Sequence, residues 1–406
     1  MLVPGGVNSP FRGFDEVGGH TIFMERALGS RMWDADGNEF VDYLGAWGPA
    51  VLGHCHPRVV AAVQSAVAGG AVLGTPHRAE LELATLVCKL LPSMQRVRFV
   101  NSGSEAVMSA VRLARGYTKR DLILTFEGSY HGHADSVLAS RNHTASAGVP
   151  GALADCNIQV PFNDIEALSQ ALQTHANNIA AVLMEPVCGS MSVVPPLPGY
   201  LEKVAALCRR FGVLLIFDEV LTGLRVARGG AQALYGIEPD LTCLGKALGG
   251  GMPIGAYGGR AEIMERLLPS GDVYQAGTFS GNPATMAAAV ETVKLLDDAA
   301  IYARLERQTE KLFDGLRGAA GRRGQSLQLQ RVGSMFAIIF APQPVTNYQE
   351  HLAIDARAFA TFFHALLERG IYLPPSAVDA ACVSAAHSDA DIELTVAVCT
   401  DVFKLL

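Results

Sequence analysis

Through the middle of the chain, short and nearly continuous apolar runs alternate with longer stretches of helical periodicity. Residues 97–100, 122–126, 180–185, 214–218, 241–244 and 255–258 read as strands, and 104–116, 165–174, 201–211 and 283–296 as helices. Strands apolar on both faces and separated by helices predict a mainly parallel sheet covered on both sides, an α/β architecture. Ahead of them, 21–25, 31–34 and 40–43 alternate like a small meander with a turn at Asp36-Gly37-Asn38. Two helical patterns fill 57–91, interrupted at Gly69-Gly70 and Gly74-Thr75-Pro76. Beyond Ala299 the order is helix 302–317, strand 335–340, helix 356–368, strand 371–373 and a last helix from Asp389 to the C-terminus. A large domain is therefore expected over 50–295. The N-terminal segment 1–49 and the C-terminal part 296–406 are expected to form a smaller α+β domain from both chain ends.

Composition narrows the function classes. Half of the 406 residues are apolar and 17% are charged, as expected of a well-buried globular chain. The formal charge of −7 supplies no basic footprint for nucleic acid. The eight cysteines are scattered without a CxxC pair, which suits reduced thiols. No uninterrupted apolar run reaches membrane-spanning length, and Met1-Leu2-Val3-Pro4 lacks the pattern of a secretory leader, so a cytoplasmic location is expected.

Against this background Lys246 stands out as a lone basic residue in Leu244-Gly245-Lys246-Ala247-Leu248-Gly249-Gly250-Gly251. A lysine with so little charge around it is expected to have a lowered pKa, leaving a nucleophilic amine. Asp218 closes the apolar strand ending Ile216-Phe217-Asp218, where a carboxylate can hold a positively charged ring nitrogen. The pair suggests pyridoxal phosphate, with Lys246 anchoring the cofactor as a Schiff base and Asp218 facing its pyridine. Ser102-Gly103-Ser104 lies at a strand-to-helix junction, where free N–H groups attract a phosphate; an ordinary helix cap is the competing reading. Tyr130, in Tyr130-His131-Gly132-His133, follows another strand and offers a ring that could stack on a flat cofactor. Thr278, in a small-residue loop before a helix, is either a second phosphate contact or part of a turn and cap. Asp218 and Glu219 are neighbours on a strand, so only one of them can face the site. No metal site is expected, because neither His131/His133 nor His54/His56 has a carboxylate or cysteine at ligand spacing. Gly245-Lys246-Ala247 lacks the hydroxyl residue of a P-loop.

The order of these motifs resembles that of the fold-type I pyridoxal-phosphate enzymes, and in particular the class III aminotransferases. The resemblance is strongest to the glutamate-1-semialdehyde aminomutase group. It is carried by Pro4-Gly5-Gly6-Val7-Asn8-Ser9-Pro10, Arg98-Phe99-Val100-Asn101-Ser102-Gly103-Ser104-Glu105-Ala106, Phe126-Glu127-Gly128-Ser129-Tyr130-His131-Gly132-His133, Phe217-Asp218-Glu219-Val220 and Val273-Tyr274-Gln275-Ala276-Gly277-Thr278. The resemblance implies Lys246 as the catalytic lysine, with Ser102, Gly103, Ser104, Tyr130, His131, Asn163, Asp218 and Val220 around the cofactor. It implies that Thr278 reaches the cofactor of a second subunit, hence a homodimer. Ser9, Arg12 and Trp47 match the family's pocket for a substrate carboxylate, and Asp379 stands near the place of a glutamate beside the substrate amine. The activity implied is exchange of an amine within glutamate 1-semialdehyde, through pyridoxamine phosphate and a bound diamine, 4,5-diaminovalerate. The product would be 5-aminolevulinate, a tetrapyrrole precursor. Three departures touch that activity: little sequence precedes Pro4, the gating stretch 136–161 is short, and Asp379 is one methylene shorter than glutamate. Intermolecular transamination on the same scaffold is the alternative these departures leave open.

Overall fold

A computed structural model describes residues 2–138, 147–321 and 327–404. The N-terminal meander consists of β1 (Met24–Leu28), β2 (Arg31–Asp34) and β3 (Glu39–Asp42), paired antiparallel in that order. The first strand lies three residues later than its alternation suggested. The chain reverses tightly at Gly29-Ser30, with Gly29 in the left-handed region at φ +59°. This register brings the Arg26 guanidinium 3.6 Å from the centre of the Trp33 ring, a cross-strand contact available to a polar, exposed strand.

Seven strands form the central sheet: β4 (Arg96–Val100), β5 (Leu122–Phe126), β6 (Asn157–Val160), β7 (Ile179–Met184), β8 (Leu214–Glu219), β9 (Leu241–Gly245) and β10 (Gly255–Gly259). Their spatial order is β4-β10-β9-β8-β7-β5-β6. Pairing is parallel from β9 through β6, and β10 runs antiparallel to both β4 and β9. Six of these strands fall within two residues of the expected bounds; β6 was not anticipated. Every residue of β7, β8, β9 and β10 is buried. Successive side chains supply opposite cores: Val182 and Met184 join one cluster, Ala181 and Leu183 the other.

The C-terminal part adds β11 (Gln328–Val332), β12 (Met335–Ile339), β13 (Ile371–Tyr372) and β14 (Ala381–Cys382). β11, β12 and β14 make a three-stranded antiparallel sheet, while β13 pairs parallel with β3. A separate apolar core unites the two chain ends, with Phe14, Val41 and Tyr43 packed among Phe313, Phe336, Phe363 and Phe403. Fully buried Arg225 fastens these parts together. Its Nε and Nη2 donate to Gly48 O at 2.8 and 2.5 Å, and its Nη1 reaches Ser334 Oγ and Val383 O at 3.4 and 3.5 Å. Among the described residues no helix is long and apolar enough to cross a membrane.

β4 to β9 all point the same way, so their carboxyl ends share one edge of the sheet. Ser102, Tyr130, Glu185, Asp218 and Lys246 leave the sheet at that edge, the usual place for a ligand in such a fold.

Candidate active site

Lys246 follows β9 directly and opens a short 3-10 turn, Lys246–Gly249, with a left-handed φ of +42°. That conformation is costly for a lysine and is held by the packed segments around it. Gly48 lies against the lysine stem: a Cβ there would stand 3.2 Å from Lys246 Cδ and 2.7 Å from Leu221 Cδ1. Burial pushes the Lys246 amine below its usual pKa, and the negative charges of Glu185, Asp218 and Asp379 together with the Cys382 thiol oppose the shift.

Asp218 is buried at the end of β8. Its Oδ2 lies 2.7 Å from His131 Nδ1, and its Oδ1 accepts the Val220 N–H at 3.1 Å. Pairing on both oxygens orients the carboxylate. Among the described residues, buried His131 Nε2 has no hydrogen-bond partner. Glu219 points the other way, as strand alternation requires. It accepts from Thr222 Oγ1 at 2.9 Å and Gln232 Nε2 at 3.0 Å, and from the N–H groups of Ala231 and Gln232 at the start of the helix Gly230–Tyr235.

The start of the helix Gly103–Thr118 bears on both readings of Ser102-Gly103-Ser104. Ser102 Oγ accepts the Glu105 N–H at 3.1 Å and is a cap. The N–H groups of Gly103 and Ser104 belong to the first turn, which has no intrahelical acceptor for them, and among the described residues they are free for an anion. Ser104 Oγ lies 3.1 Å from His133 Nδ1. Gly132, at φ +86°, permits this approach, because a Cβ there would collide with Ser104. A Cβ on Gly103 would likewise meet Val220 Cγ1 at 2.6 Å.

These groups line one cavity of about 190 Å³, bounded by Ser102, Gly103, Ser104, Tyr130, His131, Glu185, Ser190, Asp218, Val220, Leu221 and Lys246. Free N–H groups, a fixed carboxylate and an amine of lowered pKa are the partners needed by a phosphate, a pyridinium nitrogen and an aldehyde. Apolar Val220 and aromatic Tyr130 supply surfaces for a flat ring. The donor set therefore fits pyridoxal phosphate. Glu185 and Ser190 were not singled out from sequence, although Glu185 carries the same signal as Asp218, a carboxylate ending an apolar strand.

Other expected residues lie around the cavity or away from it. Phe11 packs on Trp47 with ring centres 6.0 Å apart and edge-on against Tyr130 at 5.7 Å. It thereby brings the segment of half-buried Ser9 and exposed Arg12 beside the cavity. Among the described residues, buried Asp379 Oδ2 has no hydrogen-bond partner. Burial raises the Asp379 carboxyl to about 6, with Glu16 acting in the same direction and Lys246 against it. Asn163 is not brought to the cavity. Its Nδ2 donates to Pro195 O and Thr346 O at 3.1 and 2.9 Å and its Oδ1 accepts the Leu197 N–H at 2.9 Å, so all of its amide is used as a backbone clasp. Thr278 is exposed and lines a different cleft of about 380 Å³ with Val72, Leu73, Thr75 and His77. Within the stretch 136–161, residues 139–146 lie outside the described residues. His54 is 2.6 Å from Asp42 Oδ2, and among the described residues no group of three potential ligands could hold a metal ion.

An amine and a fixed carboxylate across one cavity, at the carboxyl edge of a mainly parallel sheet, define a fold-type I pyridoxal-phosphate enzyme. The chain belongs to the class III aminotransferases: the family model "Aminotransferase class-III" matches residues 15–389. It is 50% identical over 401 residues to glutamate-1-semialdehyde 2,1-aminomutase 2 of Brevibacillus brevis, covering 97% of this chain and 94% of that protein. Among solved structures it is similar to an omega-transaminase from Sphaerobacter thermophilus, with TM-score 0.93, 31% identity and coverage of 99% and 94% of the two chains. It is also similar to a glutamate-1-semialdehyde-aminomutase variant from Pseudomonas aeruginosa PAO1 in complex with PMP. There the TM-score is 0.87 at 26% identity, with 95% and 88% of the chains covered.

The Asp379 carboxyl makes stability depend on pH with a definite sign. Its folded pKa of about 6 exceeds the ordinary 3.8, so between those values the folded chain binds more protons than the unfolded one. Unfolding free energy therefore falls as pH rises through that window, and the penalty is fully present above it. Urea unfolding of the cofactor-free protein at a series of pH values should show a shallower fall for Asp379→Asn than for wild type. Parallel curves would mean that Asp379 ionises as an ordinary exposed acid.

Proposed function

We propose that the chain is a pyridoxal-phosphate-dependent aminomutase that converts glutamate 1-semialdehyde into 5-aminolevulinate. The observation that carries this reading is the 50% identity to an aminomutase across nearly the whole chain, joined to a cavity with the required donor set. Intermolecular transamination is not favoured, since identity to the omega-transaminase is 31% against 50% to the aminomutase.

The bound cofactor supplies an electron sink and, in its amine form, the group that is exchanged. The chain's own residues do the rest. The first-turn N–H groups of Gly103 and Ser104 hold the phosphate, aided by the positive end of their helix. Asp218, oriented by His131 and the Val220 N–H, keeps a proton on the ring nitrogen. Val220 and Tyr130 would supply the apolar and aromatic surfaces against which the ring packs. Lys246, whose amine is readily neutral, takes a proton from the substrate carbon and returns it, serving as base and then acid. Arg12 presents a planar fork to the substrate carboxylate, with Ser9 and Trp47 beside it. Asp379, close to Lys246, faces the amine that must stay bound between the two halves of the reaction.

We further infer a homodimer in the cytoplasm. Exposed Thr278 lies on a loop with exposed Tyr274 and Phe279 and shares its cleft with exposed Val72 and Leu73. Such a patch suits an interface through which Thr278 reaches the partner's phosphate.

Two measurements test these readings. Supplied with glutamate 1-semialdehyde alone, the enzyme in its pyridoxamine form should produce 5-aminolevulinate over many turnovers. A requirement for an added amino donor or keto acid would instead establish transamination. In sedimentation the chain should run as two copies, and a monomer with full activity would contradict the shared site.

A further inference from the structure

One buried acid of the cavity has no part in the chemistry above. Glu185 follows β7, between β8, which carries Asp218, and the loop after β5 that carries Tyr130. Only 5% of its surface is exposed. Its Oε2 accepts the Tyr130 N–H at 3.0 Å and its Oε1 the Gly189 N–H at 3.2 Å. Gly189 is needed there, because a side chain would collide with Leu221. The titratable groups around the carboxylate are His131, Asp218, Lys246 and the Cys188 thiol. Among the groups that favour the charged form of Lys246, Glu185 comes first, ahead of Cys382, Asp218 and Asp379.

We propose that Glu185 is a positioning residue that fixes the Tyr130 wall of the cofactor cavity and sets the charge on the Lys246 nitrogen. The inference rests on the cavity being the seat of pyridoxal phosphate. One oxygen ties the wall through the Tyr130 backbone, and the other ties the turn at Gly189. The negative charge, held in a pocket shielded from water, favours a proton on the nearby nitrogen. Burial lifts the Glu185 carboxyl to about 7, with His131 opposing and Asp218 adding to the rise. Its charge therefore changes around neutral pH, in the same cavity that holds the Lys246 amine. When Glu185 is neutral, Lys246 loses its proton more readily.

Glu185→Gln keeps the side-chain length and one acceptor but removes the charge. The visible absorbance of the holoenzyme, followed against pH, reports protonation of the nitrogen that Lys246 shares with the cofactor. Its midpoint should fall by about one pH unit in Glu185→Gln, roughly a tenfold change in the neutral fraction at fixed pH. It should fall less in Asp379→Asn, and Glu185→Asp should lie nearer to wild type. Glu185→Gln should also bind the cofactor more weakly, as the Tyr130 wall loosens. A midpoint in Glu185→Gln equal to wild type, or a larger shift in Asp379→Asn, overturns the assignment. Absence of any cofactor absorbance in wild type would instead overturn the reading of the cavity, so the two failures are distinct. If Glu185→Gln does not fold, carbon-13 spectra of glutamate-labelled wild type decide the matter. A carboxyl titrating near neutral pH supports the assignment, and its absence overturns it.

Discussion

An amine taken out of bulk water must either lose its proton or be answered by nearby anions, and the fold around Lys246 is organised by that choice. The lysine leaves the sheet in a left-handed conformation, with Gly48 close enough to leave no room for a side chain against its stem. Burial favours the neutral amine, and Glu185, Asp218 and Asp379 favour the cation. None of these carboxylates forms an ion pair with Lys246 among the described residues, and burial prevails, so the amine pKa lies below its ordinary value. A nitrogen that would bond to a cofactor and then carry a proton is served by that shift.

Parallel strands make this arrangement possible, because they deliver several side chains to one edge without any of them being adjacent in sequence. Asp218 and Lys246 come from neighbouring strands, Glu185 from the next one, and the start of the helix Gly103–Thr118 from the strand beyond β10. The two chain ends close the site from outside the sheet. The same core that packs Phe14 against Phe363 carries the segments of Arg12 and Asp379. Arg225 joins these regions at Gly48, directly beside the lysine. Placement of these segments thus depends on a buried guanidinium outside the cavity that Lys246 lines.

Legibility in the sequence followed burial. Strands buried on both faces, such as Leu214–Glu219, are continuous apolar runs and were found to within a residue or two. β6 was missed because it lies at the sheet edge and reads Asn157-Ile158-Gln159-Val160, too polar to stand out. β1 was misplaced because its exposed residues leave the register to the turn at Gly29-Ser30 and to the contact of Arg26 with Trp33. In the site, Lys246 and Asp218 were visible as single charges on an apolar background. Glu185 had the same mark but sits before Pro186 in a run that reads as ordinary strand end. Asn163 was placed near the cofactor by resemblance alone, and its amide instead clasps backbone through three bonds. Thr278 was visible in its small-residue loop only as a phosphate contact or a turn, and the resemblance supplied the second chain on which its role would depend.

The central claim is that Lys246 is the residue joined to pyridoxal phosphate. Borohydride reduction of the holoenzyme, followed by mass spectrometry of its peptides, tests this without any assumption about substrate. The phosphopyridoxyl mass should appear on the peptide containing Lys246 and on no other. Its appearance on Lys89, Lys119, Lys203, Lys294, Lys311 or Lys404, or on none of them, would contradict the account.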